Sequence, residues 1–438
     1  MNYLLLSGGS GKRLWPLSNN IRSKQFLKLF KREDGSYESM VQRVFRQIKQ
    51  ADQDASVTIA TSKTQVSLLK NQLGKDIGIS VEPCRKDTFP AIALACTYLI
   101  DIRKTDENEP LVVCPVDPCA EDGYFETLKY LAIEAQKDDI NLVLMGIKPT
   151  YPSEKYGYIF PQTSDHVTQA KAFIEKPKAV AAKKYITQGA LWNGGVFAFK
   201  LKYILERAHE LFDFKNYWDL YEKYHTLEKI SFDYAIAEKE KNVQVIRYNG
   251  CWKDLGTWNT LTEAMEENII GKGILNENCS GVHIINEMNI PVLAMGLTDV
   301  VISAGPEGIL VSTKEQSSFI KPFVEGMQQQ VMFAEKTWGS FRVLDMEKNY
   351  LTVKVTLNAG HSMNYHSHNH RDEIWVVVSG HGNTIVDDIK RTVCEGDIVT
   401  MKAGCRHTII AKTELKLMEI QLGKDISVED KQKYKLGT

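Results

Sequence analysis

The chain has 438 residues, of which 43% are hydrophobic and 25% charged, and its formal net charge is -1. This length predicts two or three domains, and the composition is that of a soluble globular protein. The near-zero charge excludes a general attraction to nucleic acid or to membranes, so any recognition of anions must be local.

We expect no secretion signal in the N-terminal residues, because no basic segment there is followed by a long apolar stretch. No run of about 18 apolar residues occurs anywhere in the sequence. Eight cysteines occur without a CxxC pair, which favours reduced, buried thiols over a disulfide framework. We therefore expect a cytoplasmic protein whose partners are small molecules, with no nucleic-acid or membrane partner.

Apolar runs alternate with helical patterns through the first 265 residues. This alternation predicts an α/β fold with a mostly parallel sheet and helices on both faces. The predicted strands are Asn2–Leu6, Ser56–Ala60, Leu111–Pro115, Asn141–Gly146 and Leu191–Phe199. The predicted helices are Met40–Gln50, Pro90–Asp101 and Phe125–Lys137. Ligands of such folds bind beyond the carboxyl ends of the strands, so we expect the chemistry in loops that follow strands.

The first predicted strand runs into a glycine-rich loop, LLLSGGSGKRLWPLS at 4–18. Glycines allow the backbone to turn tightly and let its amides approach an anion, and the loop adds two cations. The residues predicted to bind a phosphate-bearing nucleotide here are Leu6, Gly8, Gly9, Gly11, Lys12 and Arg13.

Two familiar glycine motifs do not fit this loop. A P-loop needs Ser or Thr after its lysine, but Arg13 follows Lys12, and Leu6 occupies the position of its first glycine. A dinucleotide-binding fingerprint needs a third glycine where this chain has Leu14. What remains is a loop that holds phosphates with glycine amides and two cations. The alternative is an ordinary strand-to-helix turn with two solvated basic residues.

Residues 22–26 read RSKQF, so Lys24 can join Arg13 at the same site. Together with the glycine loop, this stretch resembles the signature of the sugar-1-phosphate nucleotidyltransferases, and most closely that of the mannose-1-phosphate guanylyltransferases. In that family a proline stands where this chain has Ser23. The resemblance implies a Rossmann-like nucleotidyltransferase domain over 1–265, with Arg13 and Lys24 on the triphosphate.

Two aspartates match the family's metal-binding positions. Asp117 follows a predicted buried strand in the sequence CPVDP, where this chain has Pro118 in place of the family's usual histidine. An aspartate after a strand often only caps a helix or forms a turn, but the resemblance implies that Asp117 binds Mg²⁺. The element WKDLGTW at 252–258 likewise implies that Asp254 is the second Mg²⁺ ligand.

Three further segments resemble parts of the family that contact the sugar phosphate. They are YGYI at 156–159, FIEKP at 173–177 and WNGGVF at 192–197. Taken alone, a Glu-Lys pair in a loop is usually solvated, and WNGG could be a strand kinked by glycine with a capping asparagine. The residues implied to bind the sugar phosphate are Gly157, Glu175, Lys176, Asn193 and Gly194.

The segment PCRKDTFPAIA at 83–93 aligns with the family's stretch near the nucleotide base and implies a contact from Arg85. Lys86 and Asp87 replace the family's Arg-Asn pair, and Phe89 replaces a small residue. Guanine is therefore favoured by the overall resemblance and not by these residues.

The predicted reaction is direct displacement, because no serine, cysteine or histidine with an activating partner appears among these loops. The resemblance implies transfer of a nucleotidyl group from GTP to mannose 1-phosphate, with Arg13, Lys24, Asp117 and Asp254 as catalytic residues. The alternatives are the same transfer with another nucleoside triphosphate or sugar 1-phosphate and a non-catalytic C-terminal domain, or a sensor of nucleotides or sugar phosphates without turnover. A purely structural role fits worse.

Residues 266–332 form a connecting segment in which short apolar runs are broken by Asn, Gly and Pro. The segment resembles the β-helix-like part that follows the catalytic domain in this family, and we expect it to pack domains or subunits together. We expect a homo-oligomer, a dimer.

Six of the ten histidines lie between His361 and His407. From Gly360 the spacing G-x5-H-x-H-x4-E-x6-G matches the first cupin motif, and a second motif ends near His407. Two histidines separated by one residue on a strand point to the same face and can share an ion. The predicted ligands of a divalent transition metal, Zn²⁺ or similar, are His366, His368, Glu373 and His407; the alternative is packed or solvated histidines.

Residues 333–438 resemble the all-β cupin (jelly roll) domain of type II phosphomannose isomerases, which bifunctional guanylyltransferases carry at the C-terminus. The similarity lies in 338–344 and 371–375, and the family usually has glutamine at His366. The resemblance implies mannose-6-phosphate isomerase activity, with Arg371 or Arg406 as a phosphate contact. The alternative is a cupin retained for dimerisation or effector sensing.

Overall fold

The computed structural model describes residues 1–9, 12–19, 21–74, 76–327, 330–424, 426 and 430–436. The chain divides into two compact units, one made of 1–10 and 23–266, the other of 11–22 and 267–438. The segment 11–22 therefore belongs with the C-terminal half, although it follows the first strand of the N-terminal half.

The first unit is an α/β domain around a nine-stranded sheet of order β5-β4-β1-β6-β11-β8-β12-β10-β9. Its strands are β1 (Asn2–Leu6), β2 (Lys28–Lys31), β3 (Tyr37–Ser39), β4 (Ser56–Ser62), β5 (Gly78–Glu82), β6 (Pro110–Pro115), β7 (Pro118–Ala120), β8 (Leu142–Ile147), β9 (Gly157–Pro161), β10 (Val167–Ile174), β11 (Leu191–Lys200), β12 (Val243–Tyr248) and β13 (Trp252–Asp254).

The α-helices of this unit are α1 (Met40–Ala51), α2 (Val66–Leu73), α3 (Thr88–Thr97), α4 (Asp122–Ala135), α5 (Ala179–Thr187), α6 (Leu201–Leu211), α7 (Tyr217–Lys223) and α8 (Trp258–Thr262). π-Helical turns occur at Tyr98–Ile102 and Asp233–Ala237. All the predicted strands and helices are present, with ends that differ by a few residues. In the part of the chain that the structure describes, no helix is long and apolar enough to cross a membrane.

The first strand is buried on both faces of the sheet. β1 pairs in parallel with β4 on one side and β6 on the other. Tyr3 and Leu5 pack into the hydrophobic core that contains α1 and α4, while Leu4 packs into the core that contains α3 and α6. Burial on both faces explains why this strand reads as a continuous apolar run.

The prediction of a mostly parallel sheet misses several antiparallel pairings. β11 is antiparallel to both β6 and β8, so its amino end lies beside the carboxyl end of β8. β9 pairs with both β10 and β11, so Tyr158 lies between Ile174 on one side and Trp192 on the other. The expectation that site residues lie only in loops after strands is therefore wrong for Asn193, which lies in β11, and for Gly157, which begins β9.

The second unit begins with the short β-helix-like segment. β14 (Ile269–Gly271), β16 (His283–Asn286) and β18 (Val300–Gly305) pair in parallel, β19 (Gly308–Thr313) returns antiparallel to β18, and β15 (Gly273–Leu275) pairs with β17 (Val292–Ala294). Ile284 and Ile302 are directly paired and form its small core with Ala294. The helix α9 (Lys321–Gly326) follows.

The rest of the second unit is a cupin made of two antiparallel sheets. Its strands are β20 (Phe333–Lys336), β21 (Gly339–Glu347), β22 (Tyr350–Leu357), β23 (His366–Ser367), β24 (Asp372–Ser379), β25 (Gly382–Val386), β26 (Ile389–Val393), β27 (Ile398–Met401), β28 (His407–Ala411), β29 (Leu415–Leu422) and β30 (Gln432–Lys433). Its core contains Val353, Trp375 and Leu417.

All eight cysteines lie within the described residues and are free thiols. Cys96 and Cys114 are buried, as expected for thiols in apolar runs. The expectation of buried thiols is wrong for Cys84, Cys251 and Cys394, which are exposed because they lie in turns and loops at the surface.

Candidate functional site

A cavity of about 530 Å³ opens in the first unit. The predicted site residues that line it are Leu6, Gly8, Gly9, Arg85, Asp117, Gly157, Glu175, Lys176, Asn193, Gly194 and Asp254. Gly11 lies outside the described residues. Lys12 and Arg13 form a short 3-10 helix that belongs to the second unit, and their contact with a nucleotide stays a prediction.

The two predicted metal-binding carboxylates, Asp117 and Asp254, line this cavity, and both lie near Lys24. The Nζ atom of Lys24 lies 2.5 Å from Oδ2 of Asp117 and 3.9 Å from Oδ1 of Asp254. It also donates a hydrogen bond of 3.4 Å to the carbonyl oxygen of Leu255. The antiparallel pair β7 and β13 holds both aspartates, because Asp254 lies opposite Pro118, the residue after Asp117.

This donor set fits a hard divalent cation. Mg²⁺ is usually bound by one or two carboxylates, with water and substrate phosphates completing its shell. Asp117 and Asp254 supply two such carboxylates from paired strands, and both approach one ammonium group. Two carboxylates that converge on one positive charge can therefore hold a metal and present it to a phosphate.

Glu175 and Lys176 lie at another part of the cavity. Oε1 of Glu175 is 2.5 Å from Nζ of Lys176, whereas Oε2 is buried and has no hydrogen-bond partner in the part of the chain that the structure describes. Lys176 has a φ of 44°, a left-handed conformation that is strained for a residue with a side chain. A hydroxyl-bearing ligand in the cavity could satisfy this buried carboxylate oxygen.

Glycine is required at position 157 because the side chain of Glu175 lies so close to its backbone. A Cβ atom at Gly157 would lie 2.6 Å from Oε2 of Glu175 and 2.7 Å from the ring of Phe173. We expect Gly157→Ala to raise KM for the sugar phosphate about 10- to 150-fold, since misplacing a charged acceptor costs roughly 1.5–3 kcal/mol.

Steady-state kinetics with each substrate varied in turn measures this effect. KM for the nucleotide should change little. Gly123→Ala is the matched control, because a Cβ there would meet only ordinary contact, 4.0 Å from the ring of Tyr248. An unchanged KM for the sugar phosphate would contradict the role of Gly157.

The amide of Asn193 is held on both sides. Its Nδ2 donates a hydrogen bond of 2.7 Å to Oδ1 of Asp233, and its Oδ1 accepts one of 3.1 Å from the N–H of Gly195. Gly195 has a φ of 72°, which favours glycine. Asp233 also lines the cavity. Asp233 was not predicted from the sequence, because it lies in a helical turn and follows neither a strand nor a glycine-rich loop.

Burial, together with the negative charge of Glu175, raises the pKa of Asp233 to about 7. The folded protein then keeps a proton that the unfolded chain has already lost, so the free energy of unfolding falls as the pH rises through this range and levels off above it. Between about pH 5 and about pH 8, we expect the wild type to lose about 2 kcal/mol relative to Asp233→Asn. Chemical denaturation of both proteins at the two pH values measures this difference, and parallel pH dependences would contradict it.

A third part of the cavity contains Glu82 and Arg85. Glu82 is largely buried and accepts a hydrogen bond of 2.8 Å from the hydroxyl of Tyr224, and burial raises its pKa. Nη2 of Arg85 donates a hydrogen bond of 3.0 Å to the carbonyl oxygen of Gly9. Glu82 was not predicted as a site residue, because it is the last residue of a short strand and resembles an ordinary strand end.

Aromatic rings connect two of the three predicted sugar segments with the segment that carries Asp254. The ring of Tyr156 lies 5.0 Å from that of Trp192 and 5.5 Å from that of Trp252. The indole N–H of Trp192 donates a hydrogen bond of 3.1 Å to the hydroxyl of Tyr158. These contacts hold segments from three parts of the sequence in one wall of the cavity.

The four predicted cupin ligands come together in the second unit. The ligand atoms of His366, His368, Glu373 and His407 all lie within 4.8 Å of one another, and all four residues are buried. Oε2 of Glu373 and Nε2 of His407 are 3.1 Å apart, but the geometry is not that of a hydrogen bond. Both atoms are buried, and neither has a hydrogen-bond partner among the described residues. Three imidazoles and one carboxylate suit a divalent transition metal.

The tautomers of these histidines also favour metal binding. Nδ1 of His366 lies 2.6 Å from the backbone carbonyl oxygen two residues before it, and Nδ1 of His407 lies 3.0 Å from the equivalent oxygen. Nδ1 of His368 contacts the carbonyl oxygen of Asp430. Because a carbonyl accepts, each Nδ1 must carry the proton, which leaves a lone pair on each Nε2.

The two arginines proposed as phosphate contacts have different surroundings. Arg371 is buried and donates through Nε to Oε1 of Glu373 at 3.0 Å, while its Nη2 lies 3.1 Å from Nε2 of His368. Arg406 lies at the surface over the ring of Tyr434, 5.5 Å from its centroid. A contact of either with a sugar phosphate stays a prediction.

Comparison with known proteins agrees with this geometry. A family model described as nucleotidyl transferase matches residues 2–269, and one described as mannose-6-phosphate isomerase C-terminal matches residues 325–435. The chain is 27% identical over 460 residues to the xanthan biosynthesis protein XanB of Xanthomonas campestris pv. campestris (strain B100), covering 98% of this chain and 96% of that protein.

Two further proteins are similar along most of their length. A putative mannose-1-phosphate guanylyltransferase of Vibrio cholerae serotype O1 is 28% identical over 467 residues, covering 98% of both chains. The crystal structure described as mannose-1-phosphate geranyltransferase from Thermus thermophilus superposes with a TM-score of 0.62 at 25% identity, covering 74% of this chain and 98% of that one. Because the nucleotidyl transferase model matches more than half of the 438 residues, this chain belongs to the nucleotidyl transferase family.

Proposed function

We propose that the first unit transfers a guanylyl group from GTP to mannose 1-phosphate, giving GDP-mannose and pyrophosphate. The observation that carries this proposal is the pairing of Lys24 with Asp117 and Asp254, two carboxylates that line the same cavity as Glu175 and Lys176. Cations and metal-binding carboxylates suit a triphosphate, and a carboxylate beside an ammonium suits a phosphorylated sugar. Similarity to proteins named mannose-1-phosphate guanylyltransferase supports the choice of substrates.

The chemistry needs no covalent intermediate. An anionic oxygen of the sugar 1-phosphate attacks the α-phosphorus of the nucleotide in line, the bond from that phosphorus to the bridging oxygen breaks, and pyrophosphate leaves with the electron pair. The attacking oxygen already carries a negative charge, so no general base is required. Lys176 would hold the sugar phosphate, and Glu175 would accept hydrogen bonds from its hydroxyls.

Charge neutralisation accounts for the rest of the rate enhancement. Lys24 would contact the triphosphate, and by resemblance so would Lys12, Arg13 and the amides of the glycine loop. Asp117 and Asp254 would hold Mg²⁺. When bound, this ion would supply positive charge to the phosphate oxygens.

Glu82 supports guanine as the base. A carboxylate can accept hydrogen bonds from both the N1–H and the N2 amine of guanine, whereas adenine offers an acceptor at N1. Glu82→Gln should therefore lower the ratio of kcat/KM for GTP to that for ATP about tenfold or more. Tyr224→Phe removes the hydrogen bond to Glu82 but keeps the carboxylate, so it should lower this ratio less. An unchanged ratio in Glu82→Gln would contradict a contact between Glu82 and guanine.

One assay tests the function as a whole. Pyrophosphate release is measured with a panel of nucleoside triphosphates and sugar 1-phosphates, with and without Mg²⁺. We expect the highest kcat/KM with GTP and mannose 1-phosphate and no turnover without the metal. Absence of release with every pair would contradict the proposal and favour a sensor.

We propose that the cupin interconverts mannose 6-phosphate and fructose 6-phosphate. The match to the isomerase C-terminal family model and the cluster of three histidines and Glu373 support this activity. His366, His368, Glu373 and His407 would hold Zn²⁺ or a similar divalent metal. When bound, the metal would polarise the hydroxyl and carbonyl oxygens of the sugar.

The isomerase is tested by fructose 6-phosphate formation and by metal content. A chelator and His368→Ala should abolish the activity, and the variant should lose bound metal. His381→Ala is the matched control, because His381 is exposed and lies outside the cluster. Metal-loaded protein without isomerase activity would contradict the proposal and favour a cupin for dimerisation or effector sensing.

We also propose a homodimer in the cytoplasm, with domains at 1–265, 266–332 and 333–438. Free thiols and phosphorylated substrates support this location. The start of the cupin sheet at Phe333 supports the last boundary. Light scattering after size exclusion measures the oligomeric state, and a monomeric mass would contradict the dimer.

A further inference from the structure

The segment 12–22 follows the glycine loop in sequence but packs within the second unit. It lies against the turn between β18 and β19. A Cβ atom at Gly308 would be 2.5 Å from the ring of Trp15, and one at Gly305 would be 3.2 Å from the carbonyl oxygen of Pro16. Glycines in this turn therefore allow the segment to approach the backbone of the β-helix-like part.

Arg22 attaches the end of this segment to the second unit. Its Nη1 and Nη2 atoms lie 2.8 and 2.9 Å from the two carboxylate oxygens of Glu287, a bidentate ion pair. The guanidinium also lies over the ring of Phe333, 5.1 Å from its centroid, and Arg22 is only 8% exposed. A bidentate pair on a buried arginine fixes orientation as well as distance.

Asn19 makes a second attachment. Its Nδ2 donates hydrogen bonds of 2.8 Å to Oε1 of Glu307 and 2.9 Å to the carbonyl oxygen of Phe333. Its Oδ1 accepts from the N–H groups of Ile21 and Arg22, which closes the turn. Glu307 is buried, so its carboxylate depends on such partners.

These five residues, Asn19, Arg22, Glu287, Glu307 and Phe333, form what we call the anchor cluster. Its members come from the N-terminal segment, the β-helix-like part and the first strand of the cupin. Arg22 and Glu287 are separated by 265 positions in the sequence, and Asn19 and Glu307 by 288. The path of segment 12–22 is thus set by residues from the C-terminal half.

We infer that Glu287 and Glu307 are positioning residues for nucleotidyl transfer, which act through the anchor cluster on the segment that carries Lys12 and Arg13. This inference rests on the proposed function. The segment ends immediately before Ser23, and Lys24 pairs with both metal-binding carboxylates. A cation that stabilises charge in a transition state must be held within a few tenths of an ångström, and a loop needs fixed supports to do this.

The first experiment uses the full chain and compares Glu287→Gln with Glu414→Gln. Glutamine keeps the shape of Glu287 but loses its charge and one acceptor for Arg22. Glu414 lies in the cupin of the same unit, where its exposed side chain pairs with Lys416, 2.9 Å away. We expect Glu287→Gln to lower kcat/KM for GTP about tenfold while KM for mannose 1-phosphate changes less than about twofold, and Glu414→Gln to behave as wild type.

A double-mutant cycle distinguishes a specific effect of the Arg22–Glu287 pair on segment 12–22 from a general loss of structure. Arg22→Lys removes the bidentate contact and keeps the positive charge, so its effect on kcat/KM for GTP should not add to that of Glu287→Gln. Amide hydrogen exchange of peptides covering 12–22 should become faster in both variants, with the exchange of β24 and β29 unchanged. If Glu287→Gln fails to fold, Glu307→Gln is measured in the same way.

The outcomes distinguish this inference from the proposed function. If the wild type releases pyrophosphate and the variants match it in kcat/KM, the inference is wrong and the proposed function stands. If the wild type binds GTP without turnover, the proposed function is wrong, and the inference is judged by whether the variants weaken GTP binding in calorimetry. If the wild type binds no GTP, both are wrong.

Discussion

Asp117→Asn is expected to lower the turnover of pyrophosphate release by about 100- to 1,000-fold while the protein remains folded. The substitution removes one of the two carboxylates proposed to hold Mg²⁺ and the group closest to Lys24, 2.5 Å away. The concentration of Mg²⁺ needed for half-maximal rate should rise as well, because an amide is a weaker ligand than a carboxylate. Steady-state kinetics over a range of Mg²⁺ concentrations measures both effects.

Asp254→Asn should reproduce these effects, since Asp254 approaches the same ammonium group. Asp138→Asn is the matched control, because Asp138 is fully exposed, pairs with Lys200 and does not line the cavity. Near-normal rates in both active-site variants would exclude the assignment of this pair to the metal.

Lys24→Ala is expected to cost roughly 2–4 kcal/mol of transition-state stabilisation, also about 100- to 1,000-fold in kcat/KM for the nucleotide. The ammonium group is the cation nearest to both Asp117 and Asp254, where the triphosphate is proposed to bind. Its removal leaves two carboxylates without their shared counter-charge, so Mg²⁺ should bind more tightly, not more weakly. Loss of turnover with retained or improved Mg²⁺ affinity separates this variant from Asp117→Asn.

Lys200→Ala is the control for Lys24→Ala, because Lys200 makes an ion pair with Asp138 and does not line the cavity. Thermal unfolding of both variants checks that the fold is kept. A Lys24→Ala enzyme with wild-type kcat/KM for GTP would show that this lysine does not contact the triphosphate.

The local sequence pattern was sufficient to predict those features that depend only on residues close together in the chain. Asn2–Leu6 forms a strand between two parallel neighbours, and its uninterrupted apolar side chains match burial on both faces. The cupin ligands were predictable for a similar reason. His366 and His368 are separated by one residue, and a pleated chain directs both toward the cluster completed by Glu373 and His407.

Pairing between distant strands was not predictable in this way. Apolar alternation does not distinguish a parallel from an antiparallel neighbour, so Leu191–Phe199 was predicted to lie in a mostly parallel sheet. The antiparallel direction of β11, and the pairing of β9 with both β10 and β11, bring Asn193 to the cavity. Asp233 and Glu82 were not predicted as site residues, because neither belongs to a sequence motif whose spacing is fixed by the geometry of ligand binding.

The α/β fold of the first unit, the cupin at the C-terminus and the glycine loop could be predicted from the sequence, as could the residue types from which sites for a triphosphate, a sugar phosphate and two metals are proposed. These follow from short-range spacing, which the period of a strand or the geometry of a loop converts directly into structure. Three sets of contacts became visible only in the folded chain: Lys24 pairs with both Asp117 and Asp254, Asp233 accepts a hydrogen bond from Asn193, and Glu287 and Glu307 bind Arg22 and Asn19. Such contacts join residues far apart in the chain, so their meeting depends on the packing of the whole unit and leaves no periodic signal in the sequence.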